Sequence, residues 1–388
     1  MDRRNFILKC GTIVTATALF GLVGCAPEKL ILGTQKKAKR PSSSDFTQPI
    51  LKAIAIGVNT ANPHNTQPWK FKIISDTKAV MFVDETRLLP ATDPPARQIH
   101  IGCGCFLETL RIGATGLGYQ SYIDVLPEGA YSFEEIGEKP LAVIELKKET
   151  IQRDVLYDNI FTRRTNRLKY HPGKFKEGTL ERLVSFVNPK SSTILFKDND
   201  AELKQLNDMC FEAMKIEVTT YRTMEENRIW LKRNQKTAAK ERDGIDLKSN
   251  GMGDIPRFFS EKLAKADAPK YAHEERYQNI FLKSFREKLD SSSAIAYFVT
   301  QNNELADWIK CGMDFTRFNL AADKSGIALH HLNQVLQEYD EMNAVRTSFE
   351  TFVNVKPPKK VQLVLRLGRA DEIDGFSFRR RLEDLILT

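Results

Sequence analysis

Residues 101–126 read IGCGCFLETLRIGATGLGYQSYIDVL, and residues 311–336 read CGMDFTRFNLAADKSGIALHHLNQVL. Set one above the other without a gap, they pair Gly102 with Gly312, Leu110 with Leu320, Gly116 with Gly326 and Val125-Leu126 with Val335-Leu336. Each reads as an apolar helix, a glycine stop, and a short strand or helix leading out. Strand patterns follow at 140–146 (PLAVIEL) and 360–367 (KVQLVLRL). A helical pattern ending in Asn-Pro precedes each: ILKAIAIGVNTANP ends at Pro63 and TLERLVSFVNP at Pro189. WKFKIIS (69–75) and STILFKD (192–198) then read as strands. The shared order predicts two degenerate copies of one α+β unit, with a boundary near residue 150.

The 388 residues suit about two domains, and 41% hydrophobic with 28% charged residues excludes global disorder. The net charge is +8, but the body has no long Lys/Arg run of the kind that tracks nucleic acid. The excess reads as a solvated basic surface or as arginines serving a bound phosphate. The N-terminus, MDRRNFILK, precedes an apolar run ending at Cys25; Cys10 to Cys25 is 16 residues, short for a membrane span of about 20. A charged start and a short apolar run predict an export signal over 1–25. Arg3-Arg4-Asn5-Phe6 resembles a twin-arginine element, and Leu22-Val23-Gly24-Cys25 resembles a lipobox in which Cys25 is lipidated. An uncleaved anchor helix is the alternative. Either predicts an exported body, membrane-anchored on the periplasmic or extracytoplasmic side. Residues 26–47 are polar and read as a linker, followed by one half at 48–150 and a second at 151–388. The second half carries an extra segment, 213–293, with a Gly-rich break at SNGMGD (249–254). It reads as a lid or as a solvated helical excursion.

Three stretches could carry chemistry. NPHNTQPWKF (62–71) has two prolines, two asparagines, a histidine and a tryptophan. IFTRRTNRLKYHP (160–172) places Arg163, Arg164 and Arg167 around Thr165 and Asn166. GRADEIDGFSFRRRLEDLI (368–386) ends in Arg379, Arg380 and Arg381. Clustered guanidiniums repel unless an anion joins them, and their planar forks suit phosphate oxygens; an exposed basic face is the bland alternative. Cys103 and Cys105 lie in an apolar helical run and read as buried small hydrophobes, with no flanking ligands for a metal. His330-His331 reads as helix-face or near-core rather than an acid–base pair. There is no HExxH, no Walker loop and no Ser/His/Asp layout, and Gly116-Leu117-Gly118 follows a helical rather than a strand pattern, which disfavours a dinucleotide fold.

Asn65-Thr66-Gln67-Pro68-Trp69-Lys70-Phe71 resembles the NxQPWxF element of the FMN-dependent nitroreductase superfamily. Arg163-Arg164-Thr165-Asn166-Arg167 resembles its RRSxR phosphate element, and Gly368-Arg369 with Arg379–Arg381 its C-terminal basic element. In ordinary members the RRS element opens each subunit, NxQPW follows in the same chain, and FMN lies at the dimer interface. Here the first copy has NxQPW without RRS, and the second has RRTNR without Gln-Pro-Trp. The arrangement resembles the duplicated, Acg-like branch. The resemblance implies a nitroreductase-like fold formed as an intrachain pseudo-dimer, a monomer by fusion, with one FMN site. It implies that Arg163, Arg164, Thr165 and Arg167 hold the phosphate and ribityl chain, joined by Arg379 and Arg381. Asn62, Pro63, His64 and Asn65 would lie against the flavin from the other half. Trp69 reads as a core anchor behind that turn. The family usually has a small residue and Ser before this Asn, where this chain has Ala61-Asn62-Pro63-His64. The implied function is an FMN-binding oxidoreductase passing electrons from an unknown donor to an unknown acceptor, with the flavin rather than a protein base carrying the chemistry. A flavin-binding or storage protein without turnover, and an envelope adaptor lipoprotein that has lost the flavin, are the alternatives.

Overall fold

Two long helices, each set in its own four-stranded sheet unit, organise the chain. The computed structural model describes residues 40–387 except 233, 249–271 and 374. The first unit runs α1 (Pro49–Gly57), β1 (Trp69–Ser75), β2 (Lys78–Val83), α2 (Arg97–Gly116), β3 (Tyr119–Val125) and β4 (Ala142–Lys148). The second begins with the single turn α3 (Asn159–Thr162), then α4 (Thr179–Val187) and β5 (Ser192–Lys197). An excursion follows: α5 (Asp200–Thr219), α6 (Tyr221–Trp230), β6 (Leu231–Lys232), α7 (Gln235–Glu241), β7 (Ile245–Asp246) and α8 (Glu275–Leu289). The unit then closes with β8 (Ala294–Thr300), α9 (Leu305–Lys324), β9 (Ala328–His331), α10 (Asn343–Phe352) and β10 (Lys360–Gly368).

The first sheet has the order β1-β2-β4-β3 and the second β5-β8-β10-β9, with every neighbouring pair antiparallel. Reading β5, β8, β9 and β10 for β1, β2, β3 and β4 gives one order twice. The two sheets differ in what covers them. Along β8, Ala294, Ala296 and Phe298 join the core that includes Phe315 and Phe318 of α9. Ile295, Tyr297 and Val299 point the other way, into a second core with Leu206 and Cys210 of α5, Phe285 of α8 and Phe349 of α10. Two covered faces explain why AIAYFVT is buried at every position and shows no alternation. In the first unit β3 leaves Tyr122 and Asp124 exposed.

α2 and α9 are each 20 residues long. Gly118 and Gly326 each follow the helix end by two residues and take φ of 76° and 65°, a left-handed turn that glycine adopts without strain. Counted from the helix ends, Gly118 stands to α2 as Gly326 stands to α9, and Gly104 as Gly312, two residues from the sequence alignment. Identities of scattered Gly and Leu drove that alignment, whereas helix length and the positive-φ stop fix the structural register. A second correction concerns His330-His331, which close strand β9 and lie on no helix.

Trp69 is fully buried, its ring centroid 4.9 Å from that of Phe106 on α2, so it anchors the turn to the core. Cys103, Cys105, Cys210 and Cys311 are buried free thiols, and burial pushes that of Cys105 up to about 12. The signal at 1–25, its Cys25, most of the linker and the Gly-rich break at 249–254 lie outside the described residues. Among the described residues no helix is long and apolar enough to cross a membrane, and no group of His, Cys, Asp and Glu could hold a metal ion.

Candidate functional site

The Asn62–Gln67 turn is backbone-strained. His64, Asn65 and Gln67 have φ of 47°, 54° and 53°, a region that costs a non-glycine residue roughly 1 kcal/mol or more. Hydrogen bonds hold the turn. The Asn62 Oδ1 accepts from Gln67 N at 2.8 Å. The Asn65 Nδ2 donates to Gly244 O (2.9 Å) and Phe378 O (3.1 Å). Gln67 donates through Nε2 to Arg242 O (2.9 Å) and accepts at Oε1 from Arg380 N (2.7 Å). Two distant segments, 242–244 of the excursion and 378–380 of the C-terminus, thus fix the turn. Pro63 lies against Gly102 of α2, where a Cβ would come within 2.8 Å of its Cδ.

The RRTNR stretch reaches this turn from about a hundred residues away. Arg163 is buried, and its Nη2 donates to Asn59 O at 3.5 Å, while its Nε and Nη1 have no partner. Burial, and then Arg164, lower its basicity, against the opposing fields of Asp323 and Cys105. Arg164 is half-buried; it donates to Gly375 O (3.2 Å) and Thr162 O (2.7 Å) and stacks on Phe376 at 4.1 Å. Arg167 forms no hydrogen bond or ion pair among the described residues; burial pulls its pKa down to about 10. Thr165 sits half-buried between them. No carboxylate pairs with Arg163, Arg164, Arg167 or Arg379 among the described residues.

Arg379 differs in kind. Its guanidinium donates to Val58 O (2.6 Å), Thr60 O (3.0 Å), Asn65 Oδ1 (2.8 Å) and Ser377 Oγ (2.5 Å). It closes the C-terminal end of α1 and orients Asn65, so it positions the turn. Arg381 lies apart, half-exposed and paired with Glu383 at 3.1 Å. The structure therefore brings together Asn62, Pro63, His64 and Asn65 with Arg163 and Arg167, holds Arg379 behind them, and leaves Arg381 outside.

Three histidines feel the Arg167 charge; His330 is lowered by burial and then by Arg366 and Arg167, and the other two are His64 and His331. Burial and then Arg167 depress His64 to about 4, and its Nδ1 is buried without a partner. His331, edge-on to Phe315 at 5.0 Å, is depressed to about 3 by burial and then by Arg167 and Arg163. Both are neutral at pH 7. Unfolded, each takes a proton near 6.5, so below that pH the unfolded chain binds more protons. Their contribution is complete above pH 6.5 and is lost as pH falls toward 4. His331→Gln removes one such loss. Its stability relative to the wild type is expected to rise by about 2 kcal/mol between pH 6.5 and 4.5, read from urea midpoints; a difference independent of pH would contradict the assignment.

The loop Asn188–Ser191, between α4 and β5, has its amides occupied by a carboxylate of α9. The Asp314 carboxylate accepts from Lys190 N (2.8 Å), Ser191 N (2.8 Å) and Ser192 N (2.7 Å). Asp314→Ala leaves three amides without their acceptor, and about 3–5 kcal/mol of stability is expected to go. Asp314→Asn, which keeps one acceptor oxygen, should lose about half as much in the same denaturation measurement.

Four contributors escaped the sequence reading: Arg40, Asn59, Phe376 and Asp314. For Arg40 there was a signal, because Ser42-Ser43-Ser44-Asp45 has capping-box spacing, and both capping bonds form. Residues 42–45 thus form a capped turn ahead of the first helix.

No family model matches the chain. It is 30% identical over 87 residues to the Mycobacterium tuberculosis protein named "Putative NAD(P)H nitroreductase acg", covering 22% of this chain and 26% of that protein. A second protein of that organism, named only as uncharacterized, is 35% identical over 79 residues, 20% of this chain and 23% of that one. The chain thus matches about a quarter of the length of these relatives. Among solved structures, the FMN-dependent nitroreductase NfnB of Mycobacterium smegmatis in complex with NADPH aligns at 15% identity, covering 56% of this chain and 88% of that one, with TM-score 0.35. Iodotyrosine deiodinase bound to FMN and 3-iodo-L-tyrosine aligns at 14% identity over 58% and 95%, with TM-score 0.34.

Proposed function

We propose that this chain is an FMN-binding oxidoreductase of the nitroreductase type, with one flavin site between two fused halves. The observation that carries the proposal is Arg163: a buried guanidinium with two unpartnered nitrogens, bonded to Asn59 O three residues before the strained Asn62–Gln67 turn. An uncompensated buried charge costs several kcal/mol, and a phosphate on that face would offset the cost. The residues present fit a phosphate monoester bearing a flat, polar-edged ring. Arg163, Arg164, Thr165 and Arg167 would hold the phosphate and ribityl chain. Asn62, Pro63, His64 and Asn65 would line the flavin from the first half, and Arg379 would keep Asn65 in place. Bound FMN would supply the two-electron chemistry; the chain binds, orients and keeps neutral histidines beside it.

The fused-pair reading draws support from the repeated strand order and from a reciprocal contact. A Cβ on Gly104 would meet Ile309 O, and one on Gly312 would meet Ile101 O. Residue i touching j while the equivalent of j touches the equivalent of i is the signature of a two-fold interface. The Asp314 carboxylate on the amides of the 188–191 loop supports a single site. Export through residues 1–25 and lipid anchoring at Cys25 remain part of the proposal, as does an acceptor outside the cytoplasm.

One observation favours a flavin-holding protein without turnover: Gly244 N donates to Asn65 O and the Asn65 side chain donates back to Gly244 O, which lays the excursion directly on the turn, where it would hinder a donor. Purified full-length chain incubated with FMN decides between the readings. Yellow protein bleached by NADPH and reoxidised by a quinone supports the oxidoreductase. Yellow protein that NADPH leaves unreduced supports holding, and colourless protein overturns both.

A further inference from the structure

Arg40 belongs to neither motif, yet the fold inserts it into the arginine cluster. Its Nη1 donates to Asn59 Oδ1 at 3.2 Å. Asn59 cannot present its amide the other way, because its Nδ2 donates to Ala55 O and Ile56 O at the end of α1. The backbone oxygen of the same Asn59 accepts from Arg163. Arg40 also donates through Nε to Ser377 O (3.1 Å) and through Nη2 to Ser377 Oγ (3.4 Å), the oxygen that Arg379 uses. Its guanidinium carbon lies 4.6 Å from the Phe376 ring, which Arg164 covers at 4.1 Å. One aromatic ring thus touches two cations. Arg40 and Arg163 meet at Asn59, Arg40 and Arg379 at Ser377, and Arg40 and Arg164 at Phe376, and none of the four forms an ion pair among the described residues.

We infer that Arg40 is a further phosphate-binding residue of this site, and that the Phe376 ring, on which Arg40 and Arg164 both pack, holds the two cations side by side. The inference rests on the phosphate reading of the cluster and not on the flavin. Its chemistry is plain. The three protein bonds leave Arg40 an uncommitted N–H on each terminal nitrogen. A guanidinium that has no carboxylate partner and shares Asn59 with Arg163 can complete a fork on a phosphate oxygen. Burial, then Arg379, Arg163 and Arg164, lower its basicity, as expected for a cation facing cations.

The experiment uses the full chain and three probes: inorganic phosphate, FMN and riboflavin, which lacks the phosphate. Wild type, Arg40→Met and Arg40→Lys are compared by thermal shift and by flavin fluorescence. Arg40→Met is expected to weaken inorganic phosphate and FMN about tenfold or more while leaving riboflavin within about twofold. Arg40→Lys, which keeps the charge without the fork, should fall between. Phe376→Ala should speed FMN release without changing riboflavin release. Unchanged phosphate and FMN affinity in Arg40→Met overturns the inference. So does an equal loss of FMN and riboflavin, which a merely structural pin would give, and so does a wild type that binds no phosphate. A wild type that binds inorganic phosphate but no flavin overturns the flavin reading alone, and the inorganic phosphate arm still decides on Arg40. If Arg40→Met fails to fold, the Arg40→Lys ratio of FMN to riboflavin affinity decides.

Discussion

Arg163→Met is expected to make the ligand-free protein more stable and to remove its hold on FMN. The two effects have one cause. Arg163 is 6% exposed, and two of its three guanidinium nitrogens lack a partner. Its single bond, to Asn59 O, is long at 3.5 Å. Taking a charge out of water without compensation costs several kcal/mol, and apolar replacements at such sites often stabilise by about 1–4 kcal/mol. Met has comparable length and adapts to an irregular space. The same change would delete two charge-assisted bonds to a phosphate, each worth about 1.5–3 kcal/mol, so FMN affinity should fall by about 10²–10⁴-fold. Urea unfolding of the ligand-free variant and an FMN titration read the two effects separately. A variant that loses stability and keeps its FMN affinity would make Arg163 a structural residue and remove the observation on which the proposed function stands.

The sequence made some of this legible and hid the rest for identifiable reasons. β1, β5, α1 and α4 follow patterns that local chemistry dictates: a Pro or capping position at the start, alternation or helical spacing, then an Asn turn. β8 hid because both its faces are covered, so AIAYFVT carries no period. β2 hid in a short run after a tight turn, since Lys78–Val83 is recognisable only once it pairs with β1. The clustering of arginines was visible, but the division of labour among them was not. Arg379, Arg380 and Arg381 are adjacent in sequence. Arg379 holds α1, Arg380 pairs with Asp84 at 3.0 Å, and Arg381 faces solvent beside Glu383. A chain in extended conformation sends successive side chains to opposite sides, so a run of three arginines could not be read as one cluster. The capping-box spacing after Arg40 hinted at local order, but its place in the cluster was not legible because its partners, Asn59 and Ser377, are 19 and 337 residues away.

Gly104→Ala and Gly312→Ala should be among the most destabilising single-methyl changes in the protein. An alanine Cβ at 104 would stand 1.9 Å from Ile309 O, and one at 312 would stand 2.0 Å from Ile101 O and 2.9 Å from Cys105 N. Both glycines lie inside helices, where Ala is intrinsically better by about 1 kcal/mol. The clash wins, because the obstacles are backbone atoms of the facing helix and no rotamer change can move them. α2 and α9 must separate, and with them go the Thr316 bond to Cys105 O (3.2 Å) and the Arg317 pairing with Glu108 (3.2 Å). The expected cost is about 3–5 kcal/mol for each, above the usual range for an added methyl in a core. Gly116→Ala is the control: its neighbour is the half-buried Tyr157 ring at 2.0 Å, a side chain that can swing away, so about 1 kcal/mol is expected. The double variant should cost clearly less than the sum, with a coupling of about 1 kcal/mol or more, because the first methyl has already opened the seam for the second. Additive costs would mean that the two glycines guard independent contacts. FMN affinity should fall with the seam, since Asn59 stands on the side of α2 and Arg163 on the side of α9. A variant with separated helices and undiminished FMN binding would place the flavin somewhere other than between the halves.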